Sequence, residues 1–262
     1  MRKNALAITV STLVAGVFGA FLRWLQCRNI FEETGLAASG AAVSVVYVIY
    51  SLLAAAGIAG LSALWLRRFR APAESTEALR VSSVVPAIFS WVLCAVFAVA
   101  GILLMFSAGA AEYPLVQRFF GAAAVVAGFC LPAIPCRNGA GEASFVSRKP
   151  ASGFLALFCC FWLVYCYLGH AENPVLWAYV PEVLAVAAVT LAVYYVAAWC
   201  FDRCAPTSAF LTVQLAVFLI LCALPSAPSG GVALLLCASG AYLVMLEYIL
   251  LANLREPDDA RF

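Results

Sequence analysis

Eight apolar stretches follow one another along the chain, at approximately 5–26, 41–66, 86–107, 115–134, 152–169, 181–200, 208–224 and 230–252. Each comes close to the roughly 20 residues that a helix needs to cross a hydrocarbon core. Charge, Pro and Gly collect in the short segments between them. Within the stretches apolar and polar positions do not alternate, which excludes strands of a barrel. Backbone N–H and C=O groups in lipid must be paired within their own segment, so these stretches are helices. The pattern predicts an all-α polytopic transmembrane bundle of eight spans, forming one integral membrane domain over 1–262. A cleaved signal peptide competes for the first stretch. Its apolar run, Ala5 to Leu22, exceeds the roughly 7–15 residues of a signal h-region, so an uncleaved first span is expected. The longest connections, about 67–85 and 135–151, are too short to fold alone.

Composition agrees with this pattern. Hydrophobic residues make up 66% of the 262, and Asp, Glu, Lys and Arg only 11%; a soluble domain of this size is about a quarter charged. The formal net charge of +2 leaves no basic excess for nucleic acid. The distribution of the 15 Lys and Arg residues sets the expected orientation. With the N-terminus in the cytoplasm, Arg2, Lys3, Arg67, Arg68, Arg70, Arg80, Arg137, Arg148, Lys149, Arg203, Arg255 and Arg261 fall inside, and only Arg23, Arg28 and Arg118 outside. An even number of spans then puts both termini in the cytoplasm of a cell-membrane protein. Trp24 and Trp177 mark the outer boundary and Trp65 and Trp199 the inner one, as an aromatic belt would.

Little catalytic chemistry is available. The 11 Cys residues are spread through the spans and form no disulfide framework; most act as small hydrophobes. Cys136, Cys200 and Cys204 lie on one predicted side, but C-x-x-x-C without a fourth ligand does not make a metal site. The single His170 falls in an outer loop beside Glu172, and two ligands are too few to hold a metal there. A Ser/His hydrolase or a multi-histidine metal centre would need histidine inside the bundle. Gly-rich phosphate loops are missing as well. The chain therefore leans away from an enzyme, a membrane enzyme acting on lipid being the least favoured of the open readings, and no metal and no cofactor are expected.

Polar residues at membrane depth are the informative ones, because they are costly there. Glu247 stands about six residues before the last span ends, hence roughly 9 Å below the surface, and Gln214 enters the preceding span to roughly 10 Å from the same face. The matching depths predict a hydrogen bond between adjacent antiparallel helices. Three readings remain open: a lock on the last hairpin, Glu247 snorkelling toward Arg255, and a proton- or ion-coupling carboxyl with its partner. On the outer side Arg23 closes the first span, Arg118 lies in the first turn of the fourth, and Glu182 follows Pro181 at the start of the sixth, where the helix dipole favours a carboxylate. Ser44, Tyr47 and Ser51 form a polar stripe at helical spacing in the second span, with Tyr50 beside it. Arg23, Tyr47, Arg118 and Glu182 are expected to converge on one outward-facing site, with Tyr165, Tyr167 and Tyr179 at similar depth. Its two arginines suit a small anionic ligand. Interfacial anchoring and interhelical hydrogen bonding are the alternatives for these residues.

Small residues four apart, Gly16 and Ala20, Ala56 and Gly60, Ala124 and Gly128, Ala188 and Ala192, predict close helix approach. The segment Leu22-Arg23-Trp24-Leu25-Gln26, followed by Phe31-Glu32-Glu33-Thr34-Gly35-Leu36, resembles a group of small clostridial multi-pass membrane proteins. These carry an Arg/Trp/Gln cluster followed by an aromatic residue, an acidic pair and Thr-Gly-Leu, and no activity is assigned to them. Thr34-Gly35 supplies a turn, and Glu32 or Glu33 could fold back onto Arg23 or Arg28 as a lid. The function expected is a small-molecule or ion transporter. The alternative is a non-catalytic membrane subunit or sensor acting through a protein partner. The partners expected are the lipid bilayer, a small anionic ligand, and a membrane protein or second copy of the chain; nucleic acid is not among them.

Overall fold

Proline sets the ends of several helices. Pro114 and Pro206 open theirs as the first helical residue, where a missing N–H costs nothing. Pro132 and Pro225 close theirs in one-turn 3-10 segments, Leu131–Ala133 and Leu224–Ser226. The computed structural model describes residues 2–29, 42–66, 79–81, 83–110, 113–137, 147–169, 176–201, 203 and 205–253. Its helices are α1 (Arg2–Asn29), α2 (Ala42–Leu66), α3 (Val85–Ser107), α4 (Pro114–Cys130), α5 (Arg148–Leu168), α6 (Leu176–Cys200), α7 (Pro206–Ala223) and α8 (Gly230–Asn253). All eight are long and apolar enough to cross a membrane. The protein is an all-α polytopic bundle.

The sixth helix departs from expectation. It begins at Leu176, so Pro181 lies inside it and Glu182 stands in its second turn. The proline breaks one intrahelical hydrogen bond but does not end the helix, and the predicted dipole contact of Glu182 in a first turn is not formed.

Each helix runs opposite to the one before, which brings the start of α1 and the end of α8 to one face, here called the terminal face. Helices α3 to α8 pack as a closed ring: α3 on α4, α4 on α5, α5 on α6, α6 on α7, α7 on α8, and α8 back on α3. The α1–α2 hairpin lies outside this ring, against α7. Burial follows that order, since 67% of the α8 span is buried but only 11% of the α2 span. The ring is filled. Phe120 stacks on Tyr165 at 4.2 Å and on Phe158 at 5.5 Å, with Trp162 fully buried beside them. The void at the ring's centre, between Phe97, Phe158, Tyr242 and Leu243, measures about 10 Å³, which is at the lower limit for one water. Trp199, expected in the interfacial belt, is buried in this core, whereas Trp24 is exposed as expected.

At the terminal face a short parallel pairing, Arg80–Val81 with Cys136–Arg137, joins the approach to α3 with the end of α4. Asn253 Nδ2 donates to the Arg80 carbonyl at 2.9 Å and adds the end of α8.

Small residues act where backbones touch, and only some predicted pairs do so. A Cβ on Gly101 would stand 2.4 Å from the Gly121 carbonyl, and one on Gly121 would stand 2.5 Å from the Gly101 carbonyl. Gly128 presses on Phe97 and Cys94 in the same α3–α4 seam. Ala188 and Ala192 are buried too. Ala56 and Gly60 are exposed and Gly60 has open space around it, so that predicted pair makes no close contact. On α1 the close approach uses Gly16 and Gly19, not Gly16 and Ala20. Gly101→Ala should destabilise the protein by about 1–3 kcal/mol through overpacking, read as a lower thermal unfolding temperature in detergent. Gly60→Ala should leave it unchanged or slightly raised.

Candidate functional site

Two polar clusters lie on the contact between the hairpin and the ring, one toward each face. The cluster near the terminal face is built from three helices. Thr9 on α1 donates its hydroxyl to Glu247 Oε1 at 2.7 Å, and Gln214 Nε2 on α7 donates to the same oxygen at 2.6 Å and to Thr9 Oγ1 at 3.1 Å. The hydrogen bond expected between Gln214 and Glu247 is formed, because counting residues from the helix ends fixed both depths. Both side chains are 1% exposed. Among the described residues Glu247 Oε2 and Gln214 Oε1 have no hydrogen-bond partner, and the described groups that meet the carboxyl, Thr9 and Gln214, carry no charge. Leaving a buried polar atom unpaired costs about 1–3 kcal/mol, and more for a charged group.

The opposite cluster centres on Arg23, a residue 1% exposed. Its Nη1 donates to Gln26 Oε1 at 2.7 Å and its Nε to Ser226 Oγ at 3.3 Å. The guanidinium stands 5.8 Å from the centre of the Tyr47 ring, and Gln26 Nε2 passes the connection on to Ser44 Oγ at 3.0 Å. Arg23 and Tyr47 are thus brought together as expected. Arg118 is not. It is exposed on α4, which packs on α3 and α5, so the four-residue convergence fails. Helical depth could be counted from the chain, but the order of helices around the bundle could not. Glu182 is buried between α5 and α6, where Cys166 Sγ donates to its Oε1 at 3.4 Å. It belongs with a third polar group, in which Gln117 Nε2 donates to the Leu104 carbonyl at 3.0 Å and to Ser107 Oγ at 2.9 Å, and Tyr165 donates to Gln117 Oε1 at 3.4 Å. Tyr167 is exposed.

Several site residues were absent from the expectation: Thr9, Thr12, Gln26, Ser62 and Gln117. The first three had a signal, since Thr9, Thr12, Gly16, Gly19, Arg23 and Gln26 repeat at steps of three and four along α1 and so share one helical face. His170, Glu172, Cys204 and the 31–36 loop lie outside the described residues. Among the described residues no three His, Cys, Asp or Glu side chains gather as a metal site.

The fold and these clusters define a multi-pass α-helical membrane protein with buried polar contacts at membrane depth. No family model matches the chain, and neither a curated protein nor a solved structure is found to be similar to it.

Gln214→Leu leaves Glu247 Oε1 with Thr9 alone and should cost about 1–3 kcal/mol, measured as a loss of thermal stability in detergent. Arg118→Gln should stay within about 0.5 kcal/mol of the parent.

Proposed function

We propose that the protein is a transporter of a small solute or ion in which Glu247 is the proton-binding group. One observation carries this reading: a buried carboxyl that, among the described residues, has one oxygen unpartnered and is met only by the uncharged Thr9 and Gln214. Ionisable side chains inside a membrane bundle mark proton and ion pathways. A carboxyl that served only to lock a hairpin would place both oxygens in hydrogen bonds. Arg23 and Tyr47 are the proposed contacts for a small anionic solute at the opposite end, with Gln214 and Thr9 holding Glu247. Arg118 and Glu182 have no part in that site.

The experiment is reconstitution of the full chain in vesicles holding a pH-sensitive dye, challenged with gradients of sodium, potassium, and a panel of small carboxylates and phosphates. At least one gradient should drive a pH change in the parent and none in Glu247→Gln. Vesicles that show no pH change with any of these solutes, or the same change in both proteins, would sink the reading.

In the proposed orientation the protein sits in the cell membrane with both termini in the cytoplasm. Twelve of fifteen basic residues on the terminal side support it. An impermeant thiol reagent should then label Cys27, and not Cys136 or Cys204, in intact cells.

A second reading, a subunit or sensor bound to a partner within the membrane, is favoured by an apolar groove of about 840 Å³ between α1, α3, α7 and α8, lined by Leu13, Phe89, Leu221 and Val244 among others. Isolation from native membranes as a lone monomer would count against it.

A further inference from the structure

Between Thr9 and Gln26 the positions that α1 buries against the protein are polar or glycine apart from Leu22. Thr12, Gly16, Gly19, Arg23 and Gln26 are buried, Thr9 is half-buried, and the opposite face, with Val14, Val17 and Phe21, is exposed. This stripe meets α7 and α2. From Thr9 to Arg23 it spans fourteen residue steps, about 21 Å of helix rise. Most of the hydrocarbon thickness is therefore lined on one side by groups that do not need lipid.

Small residues alone would make this a packing seam. A second feature separates it from one. Near the terminal face, Thr12 Oγ1, Ser62 Oγ, Gln214 Oε1 and Glu247 Oε2 are buried without a hydrogen-bond partner, on α1, α2, α7 and α8 respectively. The other unpartnered buried side-chain atoms among the described residues are Ser51 Oγ, again on α2, and the two indole nitrogens of Trp162 and Trp199 in the ring. Every unpartnered oxygen thus belongs to the four helices at the seam. Gln214 Oε1 is an acceptor only, Glu247 Oε2 accepts when ionised and donates when protonated, and the other two are hydroxyls that both donate and accept. Water satisfies that set, because a buried water makes about three hydrogen bonds to groups of both kinds.

Between this cluster and the Arg23–Tyr47 cluster the seam is closed by an apolar plug. Ile58, Phe218 and Cys222 are buried there together, with Ala15, Tyr50, Ala54 and Leu219 packed against them. Gly19 lets α1 approach Cys222 so closely that a Cβ would stand 2.5 Å from its sulfur. Tyr50 gives its hydroxyl to the Ala15 carbonyl at 2.7 Å, which anchors the plug to α1. The centre of the ring offers no comparable route, since its void has room for one water at most.

We infer that the seam between the α1–α2 hairpin and the ring is a water-filled proton route gated by Phe218, Ile58 and Tyr50. Water held by Thr12, Ser62 and Gln214 exchanges a proton with Glu247 Oε2, and separation of the plug joins this water to the Arg23–Tyr47 end. This rests on the reading of Glu247 as the proton-binding group. The elements packed on α8 face that carboxyl with Thr9 and Gln214. Tyr242, on the same helix, gives its hydroxyl to the Leu131 carbonyl, and Tyr248 is exposed. Arg80 of the short pairing is an exposed residue at the surface of the terminal face. Cys94 of α3 is buried against Gly128 in the α3–α4 seam. Of α6, Cys200 is buried in the ring core, Tyr194 is exposed, Tyr195 stacks edge-on against it, and Glu182 lies toward the opposite face with Cys166. The titratable groups lining the seam, Tyr50, Cys222, Tyr47 and Arg23, stand at or beyond the plug.

The test uses the full chain in vesicles with a trapped pH dye. Labelling of the native Cys222 by a small water-soluble thiol reagent is followed by peptide mass spectrometry. The reagent needs a thiolate, which forms only where water reaches the sulfur. Phe218→Ala should raise the labelling rate of Cys222 at least tenfold and open a proton leak. Ile58→Ala should do the same, and guards against misfolding of the first variant. If neither variant speeds Cys222 labelling, or neither leaks protons, while both keep the elution profile of the parent, the route is wrong. A leak that persists after Glu247→Gln is added would overturn the carboxyl as proton carrier and leave the water-filled route supported by the Cys222 labelling.

Discussion

A polar atom at membrane depth has no water to turn to, so the protein must cover it, and the placement of α1 follows from that constraint. In a soluble protein an amphipathic helix turns its apolar face inward. Here Val14, Val17 and Phe21 face outward, and the threonines, glycines, Arg23 and Gln26 face inward. Apolar contact gives helices little reason to associate in lipid, because the tails are as apolar as the side chains. What holds the hairpin to the ring is therefore a short set of directed interactions, Thr9 on Glu247 and Gln214 on Thr9 at one end and Arg23 on Ser226 at the other, together with the close approach that Gly16 and Gly19 allow.

The ring is held differently. Its α3–α4 contact is backbone against backbone at Gly101 and Gly121, and its interior is a stack of aromatic rings around Phe120. Tyr242 is tied there to a fixed acceptor, the Leu131 carbonyl at 2.9 Å. Packed cores of this kind resist gradual deformation. The unpartnered buried groups of the ring core are the indole nitrogens of Trp162 and Trp199, whereas every unpartnered buried side-chain oxygen among the described residues belongs to the helices of the seam, and unsatisfied atoms gain from a second arrangement.

The architecture was legible in the sequence because spans are selected by length and apolarity alone; each predicted stretch falls within a few residues of a helix or its closing turn. The partnership of Gln214 with Glu247 was legible because adjacent antiparallel helices need only matching depth. Arg118 and Glu182 could not be assigned in the same way, since depth does not say which neighbours a residue faces, and the ring order that separates α4 from α1 depends on contacts distant in sequence. Pro181 misled for a simpler reason: a proline near a span boundary usually opens the helix, and here the helix starts a turn earlier. Thr9 is legible only through the three-and-four spacing it shares with Thr12, Gly16, Gly19, Arg23 and Gln26, because a threonine by itself among Ala, Ile and Val is compatible with any face of a span.

The bond between Thr9 and Glu247 joins residues 238 positions apart, and this bears on how the protein is made. Synthesis proceeds at about 5–20 residues per second, so on the order of ten seconds or more separates emergence of α1 from that of α7 and α8. During that interval a helix bearing Thr9, Thr12, Arg23 and Gln26 enters the bilayer without the surface that covers it. The α1–α2 hairpin can share part of the burden, through Gln26 and Ser44 or Tyr50 and the Ala15 carbonyl. The terminal-face polar groups must wait. Biogenesis thus imposes an order in which α1 and α2 are inserted before the ring that docks them, and a nascent chain in that state depends on the insertion machinery to shelter a face that only the finished ring can cover.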